Sequence, residues 1–363
     1  MKHVVPEHSF AEVDAAGDLI INPPPIRNFE SSDWTREDFQ NLERLQEAYD
    51  IVYNFRSSHS FPLNTFQTTL RDKAHKVDSH CIVAQRIKRL PTIIAKLNRR
   101  KFTLSEIQDI GGCRAIVSSV ARVQKLVKEY KESDLKHELV HEDDYITNPK
   151  ISGYRGVHLV YSYHSDRKNT YNGLKIEIQF RSALQHAWAT AVETVGTFTG
   201  QALKSKQGNR KWRRFFALMG SAIALREKCP LVPNTADDPK TLVADIIRYV
   251  DYLGVIDHLR LFNAALKHAE TNVAGAHYFL LKLEPQANQV VVTGFKKAQL
   301  DEAQERYKET EKQISAASGD DVVLVSTSSM EALRRAYPNY FLDTHAFINA
   351  VQEAIGTPAP VAA

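Results

Sequence analysis

The stretch KIEIQFRSALQHAWATAVE, Lys175 to Glu193, decides how the middle of this 363-residue chain is read. Up to Phe180 its side chains alternate: Lys175, Glu177 and Gln179 on one side, Ile176, Ile178 and Phe180 on the other. That period of two marks a half-buried strand. From Ala183 the apolar positions recur at helical spacing through LQHAWATAVETVGTF, so the strand feeds directly into a helix. The preceding TYNG supplies a turn, and YRGVHLVYSYHS (Tyr154–Ser165) alternates in the same way. Further upstream, CRAIVSSV (Cys113–Val120) reads as a strand, ARVQKLVKEYKES as the helix after it, and LKHELVHEDDYI as strand and loop.

Working outward, NPPPIRNFESSDW (Asn22–Trp34) reads as an extended arm, with Ser32-Asp33 capping a helix over TREDFQNLERLQEAYDIVYNFRSSH. NTFQTTLRDKAHKV and CIVAQRIKRLPTIIAKLNRRK (Cys81–Lys101) read as two more helices, the latter ended or kinked at Pro91. CPLVPNTADDPKT, with Pro230, Pro233 and Pro239, is the clearest boundary. Beyond it, Leu242–Glu270 reads as one or two helices broken near Gly254. AHYFLLKLEP and QVVVTGF then pair as a hairpin, followed by a charged amphipathic helix, the strand DDVVLVST, a capped helix, a turn and a last helix. The expected division is 1–229, a helical connector 230–272 and a C-terminal unit 273–363.

Hydrophobic residues at 43% and charged residues at 25% suit a soluble globular chain, and a net charge of +4 does not by itself call for nucleic acid. Cys81, Cys113 and Cys229 are far apart and form no CxxC pair, which argues against a disulfide framework or a zinc site and fits a reducing cytosol. The N-terminal MKHVVPEHSFAEVDAAGDLI has no apolar signal core. No run approaches the ~20 apolar residues a bilayer span requires. The expectation is a cytoplasmic protein with no membrane partner.

Three separated stretches place charge where a buried element would not want it. AQRIKRLPTIIAKL carries Arg86, Lys88, Arg89 and Lys96; DIGGCR sets Asp109 and Arg114 beside two glycines; EIQFR carries Glu177, Gln179 and Arg181. Carboxylates beside a Gly-rich turn suit magnesium, which takes one or two of them plus phosphate oxygens. Clustered Arg and Lys suit a polyphosphate. Each piece has a plainer reading: a solvated helix face, a turn aspartate, or an edge charge against aggregation. HEDDY (His141–Tyr145) is read as loop rather than as a metal cluster.

Asp144, Tyr145, Ile146, Pro149, Lys150, Gly153, Tyr154 and His158, then Glu177, Gln179, Arg181, His186, Ala189 and Glu193, fall in order and spacing on the motifs of the RelA/SpoT alarmone synthetase domain, which this segment resembles. Arg86, Lys88, Thr92, Ile93, Lys96 and Leu97 match its upstream motif. The resemblance covers roughly Arg86 to Glu193. It implies an α/β (α+β) fold with a nucleotidyltransferase-like mixed sheet flanked by helices, and transfer of pyrophosphate from ATP to a ribose 3′-hydroxyl with Mg2+. By that resemblance Asp109 and Glu177 are catalytic and bind the metal, Glu177 activating the hydroxyl. Arg86 and Arg114 sandwich the adenine of ATP, Lys88 and Lys96 hold its phosphates, and Tyr154, Lys150, His158, Gln179 and Arg181 face the acceptor, whose base stacks on Tyr154. The pattern departs at Gly156 and Ser182, where the family has Ser and Thr. No hydrolase domain precedes the match, so product degradation is not expected.

Two features bear on the acceptor. KSKQGNRKWRRFF places Lys204, Lys206, Arg210, Lys211, Arg213 and Arg214 around Trp212, and Arg99 and Arg100 form a second patch. A basic patch with an aromatic suits a phosphodiester backbone, although a solvated face over a buried Trp212 fits equally. LRRAYPNYFLDT sets Tyr337 and Tyr340 around Pro338-Asn339, which alone reads as a core cap. The C-terminal unit resembles the antitoxin half of fused toxin–antitoxin synthetases of the CapRel type, a pseudo-zinc-finger domain whose two tyrosines occlude the ATP site. That resemblance implies a toxin that pyrophosphorylates the 3′ (CCA) end of tRNA, stops translation, and is released by a phage protein such as a capsid subunit. The alternative is a metabolic (p)ppGpp or (p)ppApp synthetase using GDP, GTP or adenine nucleotides, with a regulatory tail.

Overall fold

Strands from the middle of the chain and strands from its last quarter lie in one sheet. The computed structural model describes residues 4–27, 34–99, 102–199, 206–265, 267–314, 320–327 and 329–356. The strands are β1 (Ile82–Ile87), β2 (Gly111–Val117), β3 (Glu138–Asp144), β4 (Val157–Ser162), β5 (Lys175–Ser182), β6 (Lys267–Thr271), β7 (Tyr278–Glu284), β8 (Gln289–Phe295) and β9 (Asp321–Ser326). Among the described residues the sheet order is β3-β4-β5-β2-β1-β9-β7-β8-β6. The β2–β5 and β6–β8 pairs are parallel and the others antiparallel, a mixed sheet.

The helices are α1 (Phe10–Ile21), α2 (Arg36–Ser58), α3 (Ser60–Val77), α4 (Leu90–Arg99), α5 (Val120–Lys131), α6 (Ala183–Thr199), α7 (Lys206–Glu227), α8 (Pro239–Leu253), α9 (Val255–Ala265), α10 (Leu300–Gln313), α11 (Met330–Ala336) and α12 (His345–Ala354). One sheet face, with Val83, Cys113, Ala115, Ile178 and Phe180, packs on α3 and α5 through Leu63, Phe66, Val123 and Leu126. A separate core unites α6 through α9 with α12, whose Phe347, Ile348 and Val351 sit among Phe215, Phe216 and Leu259. The last helix thus returns to the body built by the middle of the chain.

Three local expectations are corrected and one element is added. CIVAQRI is not helical: Ile82–Ile87 forms β1, between β2 and β9. Its branched Ile82, Val83 and Ile87 pair with β2, and Gln85 and Arg86 pair with β9 as well, and that tertiary pairing outweighs the helical reading. The helix starts only at Leu90, so Pro91 lies in its first turn, where the missing N–H costs nothing. Lys267–Thr271 is likewise a strand rather than the end of a helix, pairing in parallel with β8. The N-terminal segment holds α1, opened by a Ser9–Glu12 capping box. Ser32 and Asp33 lie outside the described residues; the cap on α2 is Thr35, whose hydroxyl accepts from the Asp38 N–H at 3.3 Å.

The turn after α11 is closed by its own backbone: Tyr340 N–H donates to the Tyr337 carbonyl at 3.0 Å, and Asp343 N–H to that of Pro338 at 2.9 Å. Leu342, buried, ends it at φ +53, a left-handed conformation that a branched residue adopts only when its surroundings enforce it. Tyr337, Tyr340 and Phe341 pack into the apolar core formed by β9, β7 and β8 together with Ile82, Ala84 and Ile116. No described helix is long and apolar enough to cross a membrane.

Candidate active site

Sheet register gathers the charged residues. Arg114 pairs with Ala84 on β1 and with Gln179 on β5, Gly112 pairs with Arg86 and Glu177, and Gln179 pairs with His158 on β4. Partners in register share a face, as do residues two apart. Arg86, Arg114, Glu177, Gln179, Arg181 and His158 therefore all stand on the face opposite α3 and α5. Asp109 reaches the same place from the loop before β2, and Lys88 from the loop after β1, its backbone N–H tied to the Ile110 carbonyl at 2.7 Å.

Asp109 lies between two ammonium groups, Lys88 Nζ at 2.7 Å and Lys96 Nζ at 2.9 Å. Burial pushes its carboxyl up, but the two lysines more than offset this and hold it below the usual carboxylate range. Glu177 accepts from His158 at 2.8 Å and from Gln179 at 2.7 Å. Burial again works against ionisation, and the bonds from His158 and Gln179 carry the carboxyl below its ordinary value. His158 also bonds the Tyr154 hydroxyl, which accepts from Arg181 at 2.9 Å. Arg181 donates to Gln179 Oε1 at 3.1 Å, closing a ring of mutual bonds. The Arg181 guanidinium lies 5.2 Å from the centre of the Tyr154 ring, and Lys150 Nζ lies 3.9 Å from that of Tyr145 and 5.6 Å from that of Tyr154. The residues read as facing an acceptor are thus in one network with Glu177.

Tyr337 enters this charged face from α11. Its ring, 1% exposed, stands 5.1 Å from the Arg114 guanidinium. Beneath it, bounded by Arg86, Asp109, Arg114, Glu177 and Gln179, remains a cavity of about 40 Å³. Drug-sized ligands need pockets of roughly 300–1,000 Å³. Tyr340, also 1% exposed, donates its hydroxyl to Asp321 at 3.0 Å, and burial pushes that hydroxyl up to about 12. Outside the plug a wider cavity of about 600 Å³ runs along α4, lined by Lys88, Arg89, Lys96, Arg99 and Asp109 and, from the C-terminal half, Glu311 and Asp321.

The basic stretch of α7 divides. Arg210 and Arg213 are exposed, Arg214 donates to the Asn234 carbonyl at 2.6 Å, and Lys211 Nζ lies 3.6 Å from the ring centre of Tyr252. Trp212 is buried, stacked on Phe216; it belongs to the core and offers no ring to a nucleic acid. The side chain of Lys206 is not described, and Arg100 and Lys204 lie outside the described residues.

Arg56 and Glu311 escaped the sequence reading. They form a buried ion pair at 2.8 Å between α2 and α10, beside Lys88. The only advance signal for the pair is an Arg and a Glu set among apolar positions of amphipathic helices. His186, too, gains a structural setting here: its Nε2 lies 3.1 Å from the Arg335 carbonyl of α11, and burial first, then Arg114 and Arg181, hold its pKa well down.

Over part of its length the chain is similar to the GTP pyrophosphokinase YjbM of Bacillus subtilis, 35% identical over 111 residues that span 30% of this chain and 52% of the relative. A second similar protein is the GTP pyrophosphokinase YwaC of the same organism, 34% identical over 112 residues, 29% of this chain and 52% of that one. The chain therefore spans about half the length of these curated relatives. Among solved structures, the small alarmone synthetase 1 of Bacillus subtilis bound to its product pppGpp is 27% identical, with 38% of this chain and 76% of that one covered and a TM-score of 0.34. Residues 85–196, which carry every charged group of the sheet face just described, match the region found in RelA / SpoT proteins.

Proposed function

We propose that this chain is an ATP-dependent pyrophosphotransferase whose C-terminal half holds its own nucleotide site closed. The observation that carries the reading is the Tyr337 ring over Arg114, which leaves about 40 Å³ above Asp109 and Glu177. In the open form Arg86 and Arg114 hold adenine by the cation–π contact that Tyr337 now takes. Lys88 and Lys96 exchange Asp109 for phosphates. Glu177, ionised at neutral pH, accepts the proton of a ribose 3′-hydroxyl. The hydroxyl oxygen bonds to the β-phosphorus, the bond from that phosphorus to the α,β-bridging oxygen breaks, and AMP leaves. Such transfer needs positioning and charge neutralisation above all. Asp109 and Glu177 are hard oxygen donors on one small cavity and fit a magnesium ion, which would neutralise phosphate charge.

For the acceptor we propose the CCA end of tRNA, so that release stops translation in the cytoplasm. The exposed Arg99, Arg210 and Arg213 support a phosphodiester partner. Transfer to GDP or GTP is the second reading, favoured by the relatives' names. We further propose 1–229 as the transferase, 230–272 as the connector and 273–363 as an antitoxin-like sensor derived from a zinc-finger fold, which a phage protein such as a capsid subunit pulls away. A tethered plug competes at high effective concentration, and a partner that binds only the open form shifts the balance. Incubating wild type and Tyr337→Ala with labelled ATP and either tRNA or GDP/GTP tests this. Label on tRNA only in the open variant supports it, and label on guanine nucleotides alone overturns the tRNA assignment.

A further inference from the structure

Glu311 is held as a phosphate would be. Arg56, 2% exposed, donates through both terminal nitrogens to its carboxylate, at 2.8 and 3.2 Å. The Leu90 N–H, first in α4, donates to the same carboxylate at 2.8 Å. A guanidinium fork joined to an amide at a helix start is the chemistry that recognises phosphate oxygens. Arg56 is fixed for that task by two bonds to the Lys88 carbonyl, at 3.1 and 3.0 Å, so it is braced by the loop that carries Lys88. The carboxylate it faces comes from the C-terminal half. When α10 leaves, a buried cation loses its counter-charge, and an anion must take that place or water must enter.

A second pair repeats the arrangement. Arg89, next to Lys88, forms an ion pair with Asp321 of β9. Glu311 and Asp321 both line the 600 Å³ cavity that holds Lys88, Lys96 and Asp109. Basic residues of the N-terminal body thus meet carboxylates of the C-terminal half along one wall.

We propose that Arg56, the Leu90 N–H and Arg89 form an anion site for a phosphate group of the nucleotide substrate, and that Glu311 and Asp321 occupy it as carboxylate stand-ins in the closed chain. The proposal rests on the reading of this face as a nucleotide site. It divides the occlusion into two parts: Tyr337 fills the place of the base, and the two carboxylates fill the place of phosphate.

Calorimetric titration of the full chain with inorganic pyrophosphate and, separately, adenosine tests it. Glu311→Gln is expected to tighten pyrophosphate binding about tenfold or more, the equivalent of one charge-assisted bond, and to leave adenosine binding unchanged. Tyr337→Ala, which opens the closure and vacates both places, is expected to tighten adenosine and pyrophosphate alike. Arg56→Gln added to Glu311→Gln is expected to abolish the gain. Should Glu311→Gln fail to fold, Asp321→Asn at the rim carries the same test, with Arg89→Gln as its partner. Unchanged pyrophosphate affinity, a gain that survives loss of the arginine, or an equal gain for adenosine in Glu311→Gln overturns the proposal; the last identifies a simple latch. These readouts need no turnover. Absence of transfer in every open variant would therefore sink the enzymatic reading while leaving the anion site standing.

Discussion

One face of the sheet changes character at the seam between β1 and β9. Over β4, β5 and β2 it carries Arg114 beside His158, Glu177, Gln179 and Arg181, the last four tied through Tyr154 in the ring of hydrogen bonds that keeps buried charge tolerable. Over β9, β7 and β8 the same face carries Val323, Val325, Phe279, Leu281, Val290 and Val292, an ordinary apolar layer. Arg86 stands opposite Val325 at the change. A residue lying across both regions must be apolar in body and tolerant of a cation, and a tyrosine meets both demands. The ladders differ as well. β7 and β9 align from Tyr278–Ser326 to Leu283–Asp321, whereas β1 and β9 align only over Gln85–Ser326 and Arg86–Val325. The two halves therefore share only a short run of backbone pairing at this seam.

The largest effect is expected where the apolar layer is cut. Tyr337→Ala removes a fully buried ring, a loss of about 3–5 kcal/mol for an aromatic core residue. At about 1.4 kcal/mol per tenfold, transfer from labelled ATP should rise by roughly two to three and a half orders of magnitude, and induction should arrest growth. A folded variant that stays inactive and harmless would break the comparison at its centre. In that background, Asp109→Asn or Glu177→Gln should lower the rate at least ~100-fold and restore growth, placing the chemistry on the charged side alone.

Tyr340→Phe keeps the ring and removes the hydroxyl that bonds Asp321. A hydrogen bond to a charged group is worth about 1.5–3 kcal/mol, but both partners belong to the C-terminal half, so the loss should fall mainly on that half's stability and raise transfer by less than about tenfold. Activity equal to that of Tyr337→Ala would mean that the hydroxyl, not the ring, carries the closure.

The smallest effect concerns pH. His186 lies against Arg335 of α11, and its pKa is held well below 6.5, by burial first and then by Arg114 and Arg181. A histidine depressed in the closed form takes up a proton more readily when opened, so closure is complete above about pH 6.5 and weakens as pH falls below it. Protection factors in α11, taken against the intrinsic exchange rate at each pH, should fall as pH is lowered from 7.5 to 5.5, and His186→Gln should flatten that trend. A flat profile in the unmodified protein would show that His186 stays buried when the halves part.

Much of the charged half was legible. Strict alternation in Lys175–Phe180 and YRGVHLVYSYHS reports local geometry, because a strand's side-chain period does not depend on its neighbours. The capped helix expected after β9 was equally local; its cap is Ser329, whose hydroxyl accepts from the Ala332 N–H at 3.0 Å. The misread segments are those whose state depends on distant partners. Cys81–Ile87 runs without a break into the helical LPTIIAKL, yet becomes β1 through pairing with β2 and β9. Lys267–Thr271 needs β8 to be a strand. Arg56 and Glu311, 255 positions apart, carry no mark of each other in sequence.

The sequence by itself determined the strand-to-helix unit at Lys175–Glu193, the order of the charged motifs and the tyrosine-bearing turn, since each rests on spacing within a few residues. Only the tertiary structure decided that the C-terminal strands extend the same sheet, that Trp212 is core, and that Tyr337 and Glu311 sit against Arg114 and Arg56. Those contacts join segments far apart along the chain. Register, burial of apolar area and the need to partner a buried charge select them, and none of the three can be evaluated before the chain has closed on itself.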